Sequence, residues 1–277
     1  MFLPIFTKNT TFKGYYAMKK SLLFSILIVM SVCLAAQPKV VGHRGCRFDG
    51  PFENTLEAMR LAQEAGVDAI EFDVQLTSDG EVIVFHGPAV PGAGKDIRDM
   101  NFADARAIVL PGGHKMPTLE EWLEAGRQYP GIKLVMEIKK QRSREKDLAL
   151  TRKAMCIVKQ VGMESQLEYT SFEEIICNEV HAIAPQAKII YLQSGTIVHD
   201  AAWAAQRGYN GISYNLDGFL NNPGIVEQAK ALGIETTLWL VNDFEVADWA
   251  VRHGIDYISS DHPEKLVPYI RAIKAYR

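Results

Sequence analysis

Glu71 and Asp73 stand two residues apart, and so do Glu137 and Lys139. On a β-strand, side chains two apart point the same way, so each pair presents its charges to one side of a sheet. Both pairs sit in mostly apolar runs, where three inward carboxylates and a lysine carry a large desolvation cost unless something neutralises them. Two arrangements would do so: a metal ion held by the carboxylates, or an internal ion-pair network in which Lys139 and Arg44 balance the acids. Oxygen ligands without thiolate or clustered imidazole favour hard cations, so a metal here would be Mg²⁺ or Ca²⁺ rather than Zn²⁺. His43 and Arg44 close one short apolar run and His86 closes another, which adds two imidazoles and a guanidinium to the same set.

The elements that must position these residues follow from periodicity. From Lys39 onward, short β-branched runs alternate with amphipathic stretches of 10 to 15 residues, the signature of βα units around a parallel sheet. Strands are expected at 39–44, 69–76, 132–138, 166–171, 187–192, 210–214, 235–241 and 256–260. Helices are expected at 54–65, 118–128, 145–160, 173–183, 199–207, 223–232, 243–253 and 264–275, with Thr118 and Glu121 forming a cap pair. Eight such units on about 240 residues predict an α/β fold, a closed (β/α)₈ TIM barrel. Ser78-Asp79-Gly80 is a hairpin signal, so 82–86 should fold back antiparallel on the second strand. The Gly- and Pro-rich stretch 87–117, with a short helix near 102–108, reads as a small cap insertion after that hairpin. Barrel enzymes work at the C-terminal ends of their strands, where His43, Arg44, Glu71, Asp73, His86, Glu137 and Lys139 all fall.

The 277 residues are 48% hydrophobic and 23% charged, which excludes a disordered, collagenous or coiled-coil chain. There are 30 basic and 33 acidic residues; the first 36 positions hold four lysines and no acid, leaving 26 against 33 in the body. A mildly acidic body has no general attraction for nucleic acid or an anionic membrane surface. Met18-Lys19-Lys20, the apolar run from Leu22 to Ala36 and the small residues Ala35 and Ala36 predict a signal peptide cleaved before Ala36 or Gln37. Residues 1–36 are then an N-terminal extension and signal, and 37–277 a single exported domain, periplasmic or secreted, with no stable membrane insertion. Met18 is the simpler start of translation. Cys33 is not preceded by a lipoprotein pattern, and Cys46, Cys156 and Cys177 can form at most one bridge.

His43-Arg44-Gly45, Pro51-Phe52-Glu53-Asn54-Thr55, Glu71-Phe72-Asp73-Val74-Gln75-Leu76-Thr77, Val84-Phe85-His86 and Met136-Glu137-Ile138-Lys139 together resemble the glycerophosphodiester phosphodiesterase family. The resemblance continues through Pro117-Thr118-Leu119-Glu120-Glu121, Trp239 with Val241-Asn242, and Ser260-Asp261-His262-Pro263. It implies a (β/α)₈ barrel with a small insertion and metal-dependent hydrolysis of deacylated phospholipids, such as glycerophosphocholine, to an alcohol and sn-glycerol 3-phosphate. It implies Glu71, Asp73 and Glu137 as metal ligands, His43 and His86 as general acid and base, and Arg44 and Lys139 as phosphate contacts. That division suits a phosphodiester, whose nonbridging oxygens gain charge during displacement while one proton leaves the attacking oxygen and one reaches the leaving group.

Glu53 resembles a family position that touches metal or substrate, and Asn54 offers a helix N-cap. Trp239 would line a glycerol pocket or fill the core; Asp261 would orient a histidine or cap the last helix. His114, His181, His199 and His253 read as surface or core residues. The family commonly has Asp after the catalytic His, whereas Gly87 and Pro88 follow His86, and the insertion lacks the usual Thr-rich stretch; both bear on head-group preference. A related exported phosphodiesterase or phospholipase D-like enzyme is the near alternative. A glycosidase using Glu71 and Glu137 would not need Arg44, Lys139 and two histidines. A noncatalytic envelope binding protein would need no proton-transfer residues.

Overall fold

Nearly continuous apolar runs make strands that are covered on both faces, as parallel sheets require. In the computed structural model, which describes residues 37–48 and 52–275, they form β1 (Lys39–Gly42), β2 (Ala69–Leu76), β3 (Val82–Val84), β4 (Lys133–Ile138), β5 (Leu167–Ser171), β6 (Ile189–Gln193), β7 (Gly211–Asn215), β8 (Glu235–Trp239) and β9 (Tyr257–Ser260). All except β3 pair in parallel, and β1 closes the sheet by pairing with both β2 and β9. The fold is the expected (β/α)₈ barrel. β3 runs antiparallel to β2, with Val74 opposite Val84. Its turn is closed by the Thr77 amide on the Glu81 carbonyl, and Gly80 supplies the left-handed residue. The expected signal peptide lies outside the described residues.

The helices are α1 (Leu56–Ala65), α2 (Phe102–Ala107), α3 (Leu119–Gly126), α4 (Arg144–Val161), α5 (Glu174–Ile183), α6 (Ala201–Gln206), α7 (Leu216–Leu220), α8 (Ile225–Leu232), α9 (Phe244–His253) and α10 (Pro263–Ala275). At α3 the Thr118 hydroxyl accepts the Glu121 amide at 3.1 Å and the Glu121 carboxylate accepts the Thr118 amide at 2.9 Å, the capping box read from sequence. α7 was not expected, because five residues are too few to show a helical period. No described helix is long and apolar enough to cross a membrane.

The main core lies between barrel and helices, where fully buried Trp122 stacks on Phe72 at 5.0 Å. Each such ring contributes on the order of 1.5–3 kcal/mol by burial. A second, smaller core of Ile83, Phe85, Val90, Ile97, Met100 and Met116 fastens the insertion 87–117 to the hairpin. Cys46, Cys156 and Cys177 are all free. Three strands end earlier than their apolar runs suggest, at Gly42, at Val84 and at Trp239. The first of these ends because Arg44 has φ +58, which no strand accommodates.

Candidate active site

Arg44 and Asn54 both hold left-handed backbone, at φ +58 and +59, and the Asn54 amide donates to the Arg44 carbonyl at 3.0 Å. Such conformations cost about 1–2 kcal/mol each for non-glycine residues, so neighbouring contacts must hold them. The contacts converge on two acids. The Arg44 amide donates to Glu71 Oε2 at 3.0 Å. Asn54 grips Asp73 at both ends: its Nδ2 donates to Asp73 Oδ2 at 2.7 Å, and its Oδ1 accepts the Asp73 amide at 3.1 Å. Asn54 is therefore not the N-cap of α1, a role taken by Thr55, whose hydroxyl accepts the Ala58 amide. Its amide side chain is spent on the β2 acid instead.

Glu71, Asp73 and Glu137 are all buried, and each offers an oxygen within 4.8 Å of the others. Burial, and then the Asp73 and Glu137 charges, push the Glu71 carboxyl well above its usual range against Arg44 and Lys139. Burial and Asp73 likewise raise Glu137 to about 7, although Lys139 donates to its Oε1 at 2.7 Å. Burial also opposes an ionised Asp73, but Lys139 Nζ at 3.3 Å and Arg44 Nε at 3.3 Å outweigh it and hold Asp73 down to about 2. The two cations thus pair with Asp73 and Glu137, and only Asp73 is held ionised by them. Glu71 Oε1 is buried without a hydrogen-bond partner among the described residues, and buried Asp73 Oδ1 meets only the Lys139 ammonium, at 3.3 Å. An all-oxygen cluster with a buried, unpartnered carboxylate oxygen fits a hard divalent cation, and the ion pairs by themselves leave Glu71 Oε1 unsatisfied.

His43 follows β1, and its Nδ1 lies 2.8 Å from Asp261 Oδ1 at the end of β9. Its Nε2 is 4.0 Å from Glu71 Oε2. Asp261 is also held by Asn242 Nδ2 at 2.9 Å and by Arg47 at 2.7 Å; against burial, His43 first and then these two keep it ionised well below the usual range. Of its two expected roles, orienting a histidine is the one its contacts match. His86 extends from the hairpin with Nδ1 3.8 Å from Glu53 Oε1, and desolvation lowers its pKa. Glu53 also receives Arg44 Nη1 at 3.0 Å and Arg47 Nη1 at 3.4 Å. Arg47 was not singled out from sequence, since one arginine in a loop carries no spacing signal.

His43, Arg44, Glu71, His86, Glu137 and Lys139 border one cavity of about 220 Å³ that opens among the strand ends and runs down inside the barrel. Trp239 stands in its wall, half-buried, and meets Phe172 edge-on at 5.8 Å, so it is a cavity residue rather than a core one. All the expected site residues come together here. The histidines read as structural do not: His199 stacks on Trp203 at 3.9 Å and His253 on Trp249 at 4.1 Å.

The family model described as the glycerophosphoryl diester phosphodiesterase family matches residues 43–265. A glycerophosphodiester phosphodiesterase from Caldanaerobacter subterraneus subsp. tengcongensis is 29% identical over 245 residues, covering 84% of this chain and 97% of the relative. Among solved structures, a glycerophosphodiester phosphodiesterase from Parabacteroides distasonis superposes with a TM-score of 0.80 at 25% identity, covering 86% of this chain and 98% of that one. A phosphodiesterase from Oleispira antarctica, solved with its product sn-glycerol-3-phosphate, has the same fold with a TM-score of 0.77 at 23% identity, covering 85% and 97%.

Proposed function

The chain belongs to the glycerophosphoryl diester phosphodiesterase family, and from that premise we propose that it hydrolyses glycerophosphodiesters to an alcohol and sn-glycerol 3-phosphate with Glu71, Asp73 and Glu137 holding Mg²⁺ or Ca²⁺. The observation that carries this reading is the buried cluster of three carboxylates, with Glu71 Oε1 unpartnered, beside Arg44 and Lys139. The cation, when bound, supplies charge opposite the nonbridging phosphoryl oxygens.

The chain's own residues do the rest. Arg44 and Lys139 bind the phosphoryl group and are held in place by Asp73, Glu53 and Glu137. His43 moves a proton at Nε2, because Asp261 occupies Nδ1 and fixes the ring. His86 handles the second proton, with Glu53 between it and Arg44. Trp239 and Phe172 form an apolar part of the cavity wall. Glycerophosphocholine is the first substrate to test, assayed for sn-glycerol 3-phosphate and choline after exhaustive chelation and after Mg²⁺ or Ca²⁺ is restored. Activity that survives chelation, or release of phosphocholine in place of choline, would refute the proposal.

A further inference from the structure

The loop that leaves β1 is pinned before Arg47 makes any side-chain contact. Gly45 turns the chain at φ +90, so near α1 that an added Cβ would lie 2.7 Å from the Ala58 backbone. Cys46 then ties the loop on two sides. Its amide donates to the Ala58 carbonyl at 2.9 Å, and its buried sulfur lies 3.4 Å from Glu264 Oε2 on α10. From this fixed stem the Arg47 guanidinium reaches two acids that serve different histidines. Nη2 meets Asp261 Oδ1 at 2.7 Å, the same oxygen that faces His43 Nδ1 at 2.8 Å. Nη1 meets Glu53 Oε2 at 3.4 Å, while Glu53 Oε1 lies 3.8 Å from His86 Nδ1. His43, Asp261, Arg47, Glu53 and His86 thus form one line of contacts from histidine to histidine. Among the described residues Arg47 is the one cation other than histidine that touches the Asp261 carboxylate, and it touches Glu53 as well.

Neither stability nor substrate binding accounts for this bridge. The Arg47 side chain is 39% exposed, and ion pairs open to water contribute little to folding. It does not border the catalytic cavity, so it is not placed to hold the substrate. What the bridge does fix is where the two carboxylates stand. Turnover needs one histidine to take a proton while the other gives one, so each ring must stay aimed while its own charge changes. A guanidinium suits that task, because it is a planar fork that stays charged and can hold two carboxylates at once. An ammonium is a single point of charge.

We propose that Arg47 is a positioning residue that aims both proton-transfer histidines, His43 through Asp261 and His86 through Glu53, without touching the substrate. This rests on the hydrolysis reading, in which those two histidines move the two protons. It adds that they are set as a pair by one side chain.

The test compares wild type, Arg47→Met and Arg47→Lys as the full chain loaded with Mg²⁺ or Ca²⁺, with glycerophosphocholine as substrate and melting temperature as the check on folding. Arg47→Met should lower kcat about 10- to 100-fold and leave KM and cation affinity within about 2-fold, as expected for lost bonds to charged groups felt only in the transition state. Arg47→Lys keeps the charge but not the fork, and should recover only part of the loss. It carries the test by itself if Arg47→Met does not fold. In an Asp261→Asn background, Arg47→Met should cost less than it does in wild type, because one of its two routes is already broken, and should still cost something through Glu53. The positioning role is overturned if a folded Arg47→Met keeps wild-type kcat, if KM rises in place of a fall in kcat, if Arg47→Lys equals wild type, or if the losses from Arg47→Met and Asp261→Asn simply multiply. The hydrolysis proposal is judged separately, by the products wild type releases. Release of phosphocholine would refute that proposal, and the Arg47 variants would then be read on the rate of that release.

Discussion

Replacing Asp261 by Asn tests whether His43 is a working group or a bystander. Asp261 Oδ1 meets His43 Nδ1 at 2.8 Å and Arg47 at 2.7 Å, while Oδ2 accepts from Asn242 at 2.9 Å. The amide keeps the shape but loses the charge, and with its NH₂ toward His43 it reverses the tautomer and leaves Nε2 protonated. A hydrogen bond to a charged group contributes about 1.5–3 kcal/mol, which is about 10- to 150-fold in rate if it is felt in the transition state. A reversed tautomer costs more, about 10⁴-fold in the serine-protease case. We therefore expect kcat on glycerophosphocholine to fall at least about 100-fold, with little change in KM because Asp261 does not border the cavity. The decisive measurement is the double-mutant cycle with His43→Ala. If Asp261 acts through His43, adding Asp261→Asn to His43→Ala should change nothing further. Independent, multiplicative losses would refute the positioning role, and so would an Asp261→Asn enzyme with wild-type turnover.

Glu71→Gln, Asp73→Asn and Glu137→Gln should each weaken cation binding and lower activity at least about 100-fold, as read by metal titration beside kcat, since each removes a charge from the cluster. His86→Ala should cost about 10²- to 10⁴-fold on glycerophosphocholine. It should cost much less on bis(4-nitrophenyl) phosphate if His86 is the acid, whose leaving group scarcely needs a proton; wild-type turnover on the poorer leaving group would refute a role for His86. Burial raises Glu137 from 4.5 to about 7 in the absence of a cation, so the folded chain holds its proton more tightly than the unfolded one. Chelated protein should therefore lose stability as pH rises from about 4.5 to about 7, by at most about 3 kcal/mol from this group, whereas cation-loaded protein should not. Equal shifts in Tm between pH 5 and pH 7.5 with and without cation would contradict that. Protein from its native host should begin at Ala36 or Gln37; an N-terminal sequence starting at Met1 or Met18 would overturn the expected export.

The strands were legible because each is an apolar run bounded by turn residues, and a parallel barrel buries both faces of every strand. Their ends were less so. Residues 39–44 read as one strand, yet Arg44 turns into left-handed backbone because its amide is held by Glu71, 27 positions later. Asn54 shows the same effect in side-chain form: local sequence offers a cap, but Asp73 takes both ends of its amide. In both cases a long-range bond to a buried acid overrode a local preference, and the departures from the sequence reading cluster at the site for that reason.

The charged residues of the site were legible for a related reason. An acid or lysine in an apolar strand is conspicuous because burying it is unfavourable, and the two-residue spacing tells which way it points. Serine and threonine carry no such flag. Ser213 and Ser259 look like ordinary strand residues until the register of the closed barrel sets them around the cavity at the level of Glu71. The bond between His43 and Asp261 spans 218 positions and exists because β1 closes on β9. Eight βα units imply that closure, but only the register decides that His43 meets Asp261. Chemistry that rests on charge can thus be read along the chain, whereas chemistry that rests on the packing of small polar groups requires the barrel to be closed first.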